Sequence, residues 1–203
     1  RVMETLRSVV PQIEVYSVDE AFLDLREIKP DSLKKFGEGV AGKVKRDTGI
    51  PISIGISKTK TLAKVAASIA KRDFPSGGCF FLAGQEEITD ALKNCPAGDI
   101  WGIGRRLSSF LAGNGIFTAY DLVNSPDDWI KSRLTITGLR TRRELRGESC
   151  ISFEEMPTNK KQICTSRSFP VEISELDSVY KALSYFVSNC AEKLRKQKSV
   201  CNE

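Results

Sequence analysis

The stretch from Ile13 to Leu25, I-E-V-Y-S-V-D-E-A-F-L-D-L, constrains this chain more than any other. Two β-prone apolar runs, Ile13–Val18 and Ala21–Leu25, flank the adjacent carboxylates Asp19 and Glu20. Neither run has the four-residue spacing of a helix face, so they predict a tight hairpin with the acids at its tip. Oxygen ligands on a rigid, solvent-facing tip suit a hard divalent cation such as Mg²⁺. An acidic turn taken alone is more often just solvated, so the neighbouring segments must decide.

Composition removes some classes of chemistry. The chain has 203 residues, 40% hydrophobic and 28% charged, as expected of a soluble globular protein with one or two domains. It has no histidine, which excludes imidazole acid–base chemistry. The six cysteines are scattered without a C-x-x-C pair. That argues against structural zinc and for reduced thiols packed as small apolar residues. A net charge of +5 hints mildly at an anionic partner. No signal peptide or membrane span is visible, which predicts a cytoplasmic protein. Arg1 opens the chain without an initiating Met, and Ser199-Val200-Cys201 reads as the start of a strand, so a fragment is expected.

Before the hairpin, Met3–Val10 reads as a helix end stopped by Pro11. After it, Asp31 or Ser32 can cap a helix carrying Leu33, Phe36, Val40 and Val44 at helical spacing. Gly37, Gly39 and Gly42 either weaken that helix or let it pack closely, and Gly49 closes it. In I-P-I-S-I-G-I-S, Ile50–Ser57, isoleucine alternates with mostly small residues, so one face of a strand is buried. The other face lacks bulk, and a helix or a ligand can lie against it.

The helix predicted from Thr59 to Lys71 has an apolar stripe of Leu62, Val65, Ala66, Ile69 and Ala70. Lys60, Lys64 and Lys71 share another face, within about 40° of one another. Lys58 and Lys60 crowd the first turn, where cations oppose the helix dipole at about 0.3–1 kcal/mol each. A nearby anion would offset that cost; a solvated basic face is the plainer reading. Hairpin, helix, strand, helix in this order predicts a split β-α-β layout, an antiparallel sheet with helices on one face.

Pro75–Gly78 reads as a turn, Cys79–Leu82 as a strand and Glu87–Cys95 as a helix ending at Pro96. In I-W-G-I-G-R-R-L, Ile100–Leu107, the Gly-x-Gly has the pattern of a helix-hairpin-helix turn, whose backbone N–H groups can approach a phosphate. Thr118 and Asp121 can form a capping box. Lys131, Arg133, Arg140, Arg142, Arg143 and Arg146 follow as a basic strip against Glu144, a solvated helix surface or a nucleic-acid face. Pro157–Lys161 reads as a linker and Gln162–Ser168 as a strand. Ser174 or Asp177 can begin a long helix with Val179, Leu183, Phe186, Cys190 and Leu194 on one face. That face needs a sheet, so the last unit is expected to be incomplete and able to self-associate.

Taken together, Y-S-V-D-E-A-F-L-D-L, G-I-P-I-S-I-G-I-S-K-T-K-T-L-A-K and W-G-I-G, in that order, resemble the Y-family translesion DNA polymerases. W-G-I-G-R-R-L, R-E-L-R-G-E and C-T-S-R-S-F are most similar to the UmuC branch. The resemblance covers essentially the whole chain. It implies an α+β fold: residues 1–84 as the C-terminal part of the palm, 85–156 as an all-α thumb with the helix-hairpin-helix, and 157–203 as a linker and truncated α/β little finger. It implies error-prone, template-directed DNA synthesis in an SOS-type response to DNA damage, with two Mg²⁺ ions.

By the same resemblance Asp19 and Glu20 are the metal-binding catalytic acids, and Lys71 contacts the incoming deoxynucleoside triphosphate. Gly102, Ile103 and Gly104 grip primer-template DNA, with Lys64 and Arg105 beside them, and Arg167 lies on a DNA-tracking strand. UmuD-type, RecA-type and sliding-clamp partners are implied. Such enzymes carry another essential Asp, and their fingers, upstream of the hairpin. The 203 residues contain neither, so the chain alone is expected not to polymerise. The competing readings are a non-catalytic DNA-binding module and another palm-type enzyme such as a nucleotide cyclase; the helix-hairpin-helix argues against the cyclase.

Overall fold

Local sequence signals set most of the element boundaries. The structure, a computed structural model, describes residues 1–154 and 162–201. The chain divides into two compact units, residues 1–155 and 156–203. The first holds α1 (Val2–Arg7), β1 (Ile13–Val15), β2 (Ala21–Leu23), α2 (Leu33–Thr48), β3 (Ser53–Ile56), α3 (Lys60–Asp73), β4 (Gly78–Phe81), α4 (Gln85–Lys93), α5 (Arg105–Ala112), α6 (Ala119–Asn124) and α7 (Asp127–Leu145). The second holds α8 (Leu176–Gln197). The expected linker at Pro157–Lys161 lies outside the described residues.

The hairpin forms as its alternation requires. β1 and β2 pair antiparallel, with Ile13 opposite Leu23 and Val15 opposite Ala21. The amides of Tyr16 and Ser17 both donate to the Glu20 carbonyl at 3.0 Å and close the loop that carries the acids. Ser32 stands at the start of α2 but caps with no side-chain hydrogen bond, because a 3₁₀ turn over Pro30–Ser32 leads into the helix. Gly49 ends α2 with φ 75°, a conformation that disfavours any residue with a Cβ. The Thr59 hydroxyl accepts from the Leu62 amide and caps α3.

The expected single antiparallel sheet is not what forms. Among the described residues there are two separate two-stranded ladders, and β3 pairs with β4 in parallel. The reason is topological: α3 connects β3 to β4, and a strand–helix–strand crossover returns its second strand parallel to the first. Nor do the helices share one face. A Cβ on Gly55 would fall 2.1 Å from the Ala63 carbonyl oxygen and the Ala67 nitrogen, so α3 lies directly on that face. A Cβ on Gly37 of α2 would fall 2.4 Å from Cys79 Sγ and 3.0 Å from Ile56, whose side chains point to the other. A helix therefore occupies the small-residue face of β3, and a helix on each side buries the parallel pair.

Two apolar cores result. One gathers Leu6, Ile13, Val40 and Val44 under the hairpin and α2. The larger joins Leu62, Val65 and Ala66 of α3 to Leu82, Ile88, Leu92, Leu111, Leu122, Ile130 and Leu145. The turn before α5 is flanked on its N-terminal side by one 3₁₀ turn, Ala97–Asp99, rather than by a full helix. Thr118 and Asp121 form the expected capping box on α6. α7 kinks at Thr135, whose φ is 62°.

In the second unit the expected strands at Gln162–Ser168 and Ser199–Cys201 are absent among the described residues. Residues 162–168 form no regular element and are tied to α8: Lys193 Nζ donates to the Cys164 carbonyl at 3.3 Å and to Thr165 Oγ1 at 3.2 Å. The expected α/β character of this unit is thus not seen in its described residues; they hold one helix. Glu175 rather than Ser174 or Asp177 occupies the N-cap of α8, with no side-chain cap bond. No α8 residue is buried, and Leu176, Val179, Tyr180 and Leu183 are exposed.

The two contrasting glycines give a test. Gly55→Ala must displace α3 and is expected to cost about 1–3 kcal/mol. Gly39→Ala, with nothing within 4 Å of the new Cβ on exposed helix, is expected to gain about 0.5–1 kcal/mol. Urea denaturation of the two variants measures both.

Candidate active site

The site begins with charge held on a short loop. Asp19 is solvent-exposed, and the Ser17 hydroxyl donates to its Oδ1 at 2.6 Å. That hydrogen bond, with help from the ammonium groups of Lys64 and Lys71, holds the Asp19 carboxyl below the usual carboxylate range. Both lysines thus act on the same carboxylate, one turn and three turns into α3. Lys71 is exposed. Lys64 Nζ donates to both oxygens of Glu20, at 3.0 and 3.1 Å. Asp19, Glu20, Lys64 and Lys71 are therefore brought together.

Lys60 departs from expectation. Its side chain is only 10% exposed. Nζ donates to Glu14 Oε2 at 2.5 Å and to the Ser152 carbonyl at 2.6 Å. The Glu14 carboxylate also accepts from the Glu154 amide at 2.7 Å. Lys60 serves a structural ion pair that ties β1 to α3 and is not part of an open basic face.

The anion that the crowded first turn of α3 calls for is part of the chain. Glu144, at the end of α7, is fully buried. Its Oε2 accepts from the Thr61 amide at 3.1 Å, and its Oε1 accepts from the Cys150 and Ile151 amides at 2.6 and 3.2 Å. Its carbonyl accepts from the Thr59 hydroxyl at 2.7 Å. One carboxylate thus caps a helix some eighty residues away in sequence and holds the chain leaving α7. Arg142 is also removed from the basic strip: it is buried, paired with Asp127, and donates to the Val123 carbonyl at 3.0 Å. Lys131, Arg133, Arg140, Arg143 and Arg146 remain exposed.

The Gly-x-Gly turn presents backbone rather than side chains. Gly102 has φ 88° and is exposed; Gly104 is the N-cap of α5, with Arg105 exposed behind it. Ile103 turns inward and packs on the larger core. Trp101, just before the turn, reaches the hairpin, where its Nε1 donates to the Tyr16 hydroxyl at 3.1 Å. Sequence reading missed Trp101, Tyr16, Glu14 and Glu144. Arg167 belongs to the second unit, where its guanidinium stands over the Tyr185 ring at 6.0 Å.

Cys79 and Cys95 are pushed up to about 11 by burial, so both thiols stay protonated near neutral pH. Among the described residues no three His, Cys, Asp or Glu side chains converge as a metal cluster, and no helix is long and apolar enough to cross a membrane.

This arrangement sits on a known fold. A solved Y-family DNA polymerase chimera of Dbh and Dpo4 matches 95% of this chain and 55% of its own with a TM-score of 0.72 and 20% identity. The fold is thus α+β and that of Y-family polymerases. The impB/mucB/samB family matches residues 1–68, and the impB/mucB/samB family C-terminal domain matches residues 160–203, together more than half of the chain. Protein UmuC of Salmonella typhimurium (strain LT2) is 37% identical over 203 residues, covering 99% of this chain and 48% of UmuC. DNA polymerase IV of Brucella melitensis biotype 1 is 32% identical over 195 residues, covering 92% of this chain and 42% of that protein. The chain belongs to the impB/mucB/samB family, and the resemblance to the UmuC branch holds. It spans about half the length of the curated relatives it matches.

Two measurements test the geometry. Glu144→Ala leaves buried amides without an acceptor, at about 1–3 kcal/mol for each. Unfolding in urea is expected to show a loss of at least about 2 kcal/mol, with Glu144→Gln losing less. In an NMR titration of the Asp19 carboxyl carbon, Ser17→Ala is expected to raise the pKa toward the ordinary range. Lys64→Ala and Lys71→Ala are expected to raise it by less. An Asp19 titration indifferent to Lys71 would contradict the shared face.

Proposed function

We propose that this chain is part of a template-directed, error-prone DNA polymerase that acts in translesion synthesis. Residues 1–84 are the C-terminal part of its palm, 85–156 its thumb and 157–203 a linker with the opening of its little finger. The observation that carries this reading is the pairing of an exposed acidic loop with the basic face of α3: Lys64 bonds both oxygens of Glu20, and Ser17, Lys64 and Lys71 together lower the pKa of the neighbouring Asp19.

Asp19 and Glu20 are the residues that would hold divalent metal, Mg²⁺ by its preference for one or two carboxylates completed by substrate phosphates. Two adjacent acids fit that donor set, although the pair alone is too few for an all-protein cage. Bound there, the metal would supply Lewis-acid activation of a primer hydroxyl and charge stabilisation at the phosphates. The chain's own residues do the rest. Lys71 supplies positive charge to the triphosphate of the incoming nucleotide, where negative charge develops. Lys64 neutralises Glu20 and would be free to face substrate were Glu20 to serve as a metal ligand. The amides of Gly102, Ile103 and Gly104, with Arg105, hold the DNA backbone, and Arg167 follows the duplex from the second unit. None of these steps needs a histidine. UmuD-type, RecA-type and sliding-clamp partners belong to the same proposal.

The test uses the intact gene product. Metal contributes several kcal/mol to such reactions, so Asp19→Ala is expected to lower primer extension by about 10³-fold or more. Its affinity for primer-template DNA is expected to change little, and that affinity to fall steeply with added salt. Full synthesis by Asp19→Ala would contradict the catalytic role of the acidic loop; no synthesis by the parent protein, with DNA binding intact, would instead indicate a DNA-binding module with an idle acidic tip.

A further inference from the structure

Three aromatic side chains stand between the two cores and belong to neither. Tyr16 is in the hairpin loop, Phe22 is on β2 and Trp101 precedes the Gly-x-Gly turn. The Trp101 ring meets Tyr16 edge-on at 5.3 Å and Phe22 at 5.5 Å, and Tyr16 meets Phe22 at 6.0 Å. Hairpin residues Ile13, Ala21 and Leu23 pack into one core, and Ile100 and Ile103 on either side of Trp101 pack into the other. The aromatic group is thus a bridge across them. It does little to bury surface, since Tyr16 is 49% exposed.

The bridge also ends on the charged groups. Lys64 Nζ lies 5.1 Å from the Tyr16 ring centre and 5.3 Å from that of Trp101 while bonded to both Glu20 oxygens. The Tyr16 amide donates to the Glu20 carbonyl at 3.0 Å. Trp101 therefore reaches Glu20 by two routes: through Tyr16 to its backbone, and through Lys64 to its carboxylate. On its other side Trp101 adjoins Gly102, whose backbone would meet DNA. The reach from the turn to the acidic loop is directional, because Trp101 Nε1 donates to Tyr16 Oη at 3.1 Å.

We propose that Trp101 is a positioning residue that couples seating of DNA on the Gly102–Gly104 turn to the pose of Glu20 and Lys64 on the hairpin side. The inference rests on the polymerase reading above and adds to it a link between the DNA grip and the acids. With DNA seated, the turn holds the indole against Tyr16. Tyr16 and Lys64 then hold the loop in the pose that receives metal and nucleotide. Without the hydrogen bond, DNA still binds, but the loop samples poses that do not support chemistry.

Trp101→Phe keeps an aromatic ring but removes the donor with part of the indole; Tyr16→Phe removes only the hydroxyl that accepts. In the intact gene product each is expected to lower kcat for nucleotide addition by about three- to thirtyfold, the range of a modest coupling energy. DNA Kd, nucleotide KM and Tm are expected to stay within about twofold or a few degrees of the parent. The double variant is expected to be no slower than either single variant, because both remove one interaction. Normal kcat in both single variants, multiplying losses in the double, or a loss confined to DNA Kd would each overturn the coupling. Asp19→Ala in the same assay separates the two layers. If it is inactive while Trp101→Phe is normal, the coupling alone fails; if it is active, the catalytic reading fails and takes the coupling with it.

Discussion

A single buried carboxylate organises the first unit. Glu144 accepts three backbone amides, one from the start of α3 and two from the chain that leaves α7. Lys58 and Lys60 load the first turn of α3 with positive charge against the helix dipole. Glu144 supplies the negative charge at that end, and Glu14 takes up Lys60 itself. The result is a helix whose start is locked on both sides, by the end of α7 and by β1. Only with that lock does the rest of the α3 basic face, Lys64 and Lys71, meet the hairpin loop in a fixed direction.

What the lock presents is a balance of charge. Asp19 is exposed and ionised; Glu20 is neutralised by Lys64; Lys71 is exposed. An acid pair with one member satisfied and one open can accept a cation without first breaking a buried network. The ion pair between Glu20 and Lys64 is part-exposed, so separating it costs little by comparison with a buried pair. The loop thus has its charge balanced by a lysine of α3, through an ion pair that water already reaches.

Much of this was legible in the sequence, for reasons that can be named. The hairpin, α3 and its cap, and the Thr118–Asp121 box depend on neighbours in sequence, and their residue types carry the signal. The small face of β3 signalled close approach, and the approach is by α3. What failed depended on distant partners. A lone Glu144 in a basic run reads as a solvated countercharge, and nothing nearby in sequence reveals that it caps α3. Arg142 reads as one more surface cation, yet it fills a buried slot beside Asp127. The parallel pairing of β3 with β4 was recoverable from the α3 crossover, but the hairpin's antiparallel habit was extended to the whole sheet. Gln162–Ser168 has strand composition and no strand to pair with, so propensity alone did not make it one.

The most direct test is paramagnetic. Mn²⁺ added with a deoxynucleoside triphosphate to the isotopically labelled chain broadens NMR signals near the bound ion. The account predicts selective broadening of Ser17–Glu20 and of α3 from Lys64 to Lys71, with α4 and α6 less affected and the effect lost in Asp19→Asn. Broadening spread evenly over the surface acids, or unchanged by Asp19→Asn, would contradict it.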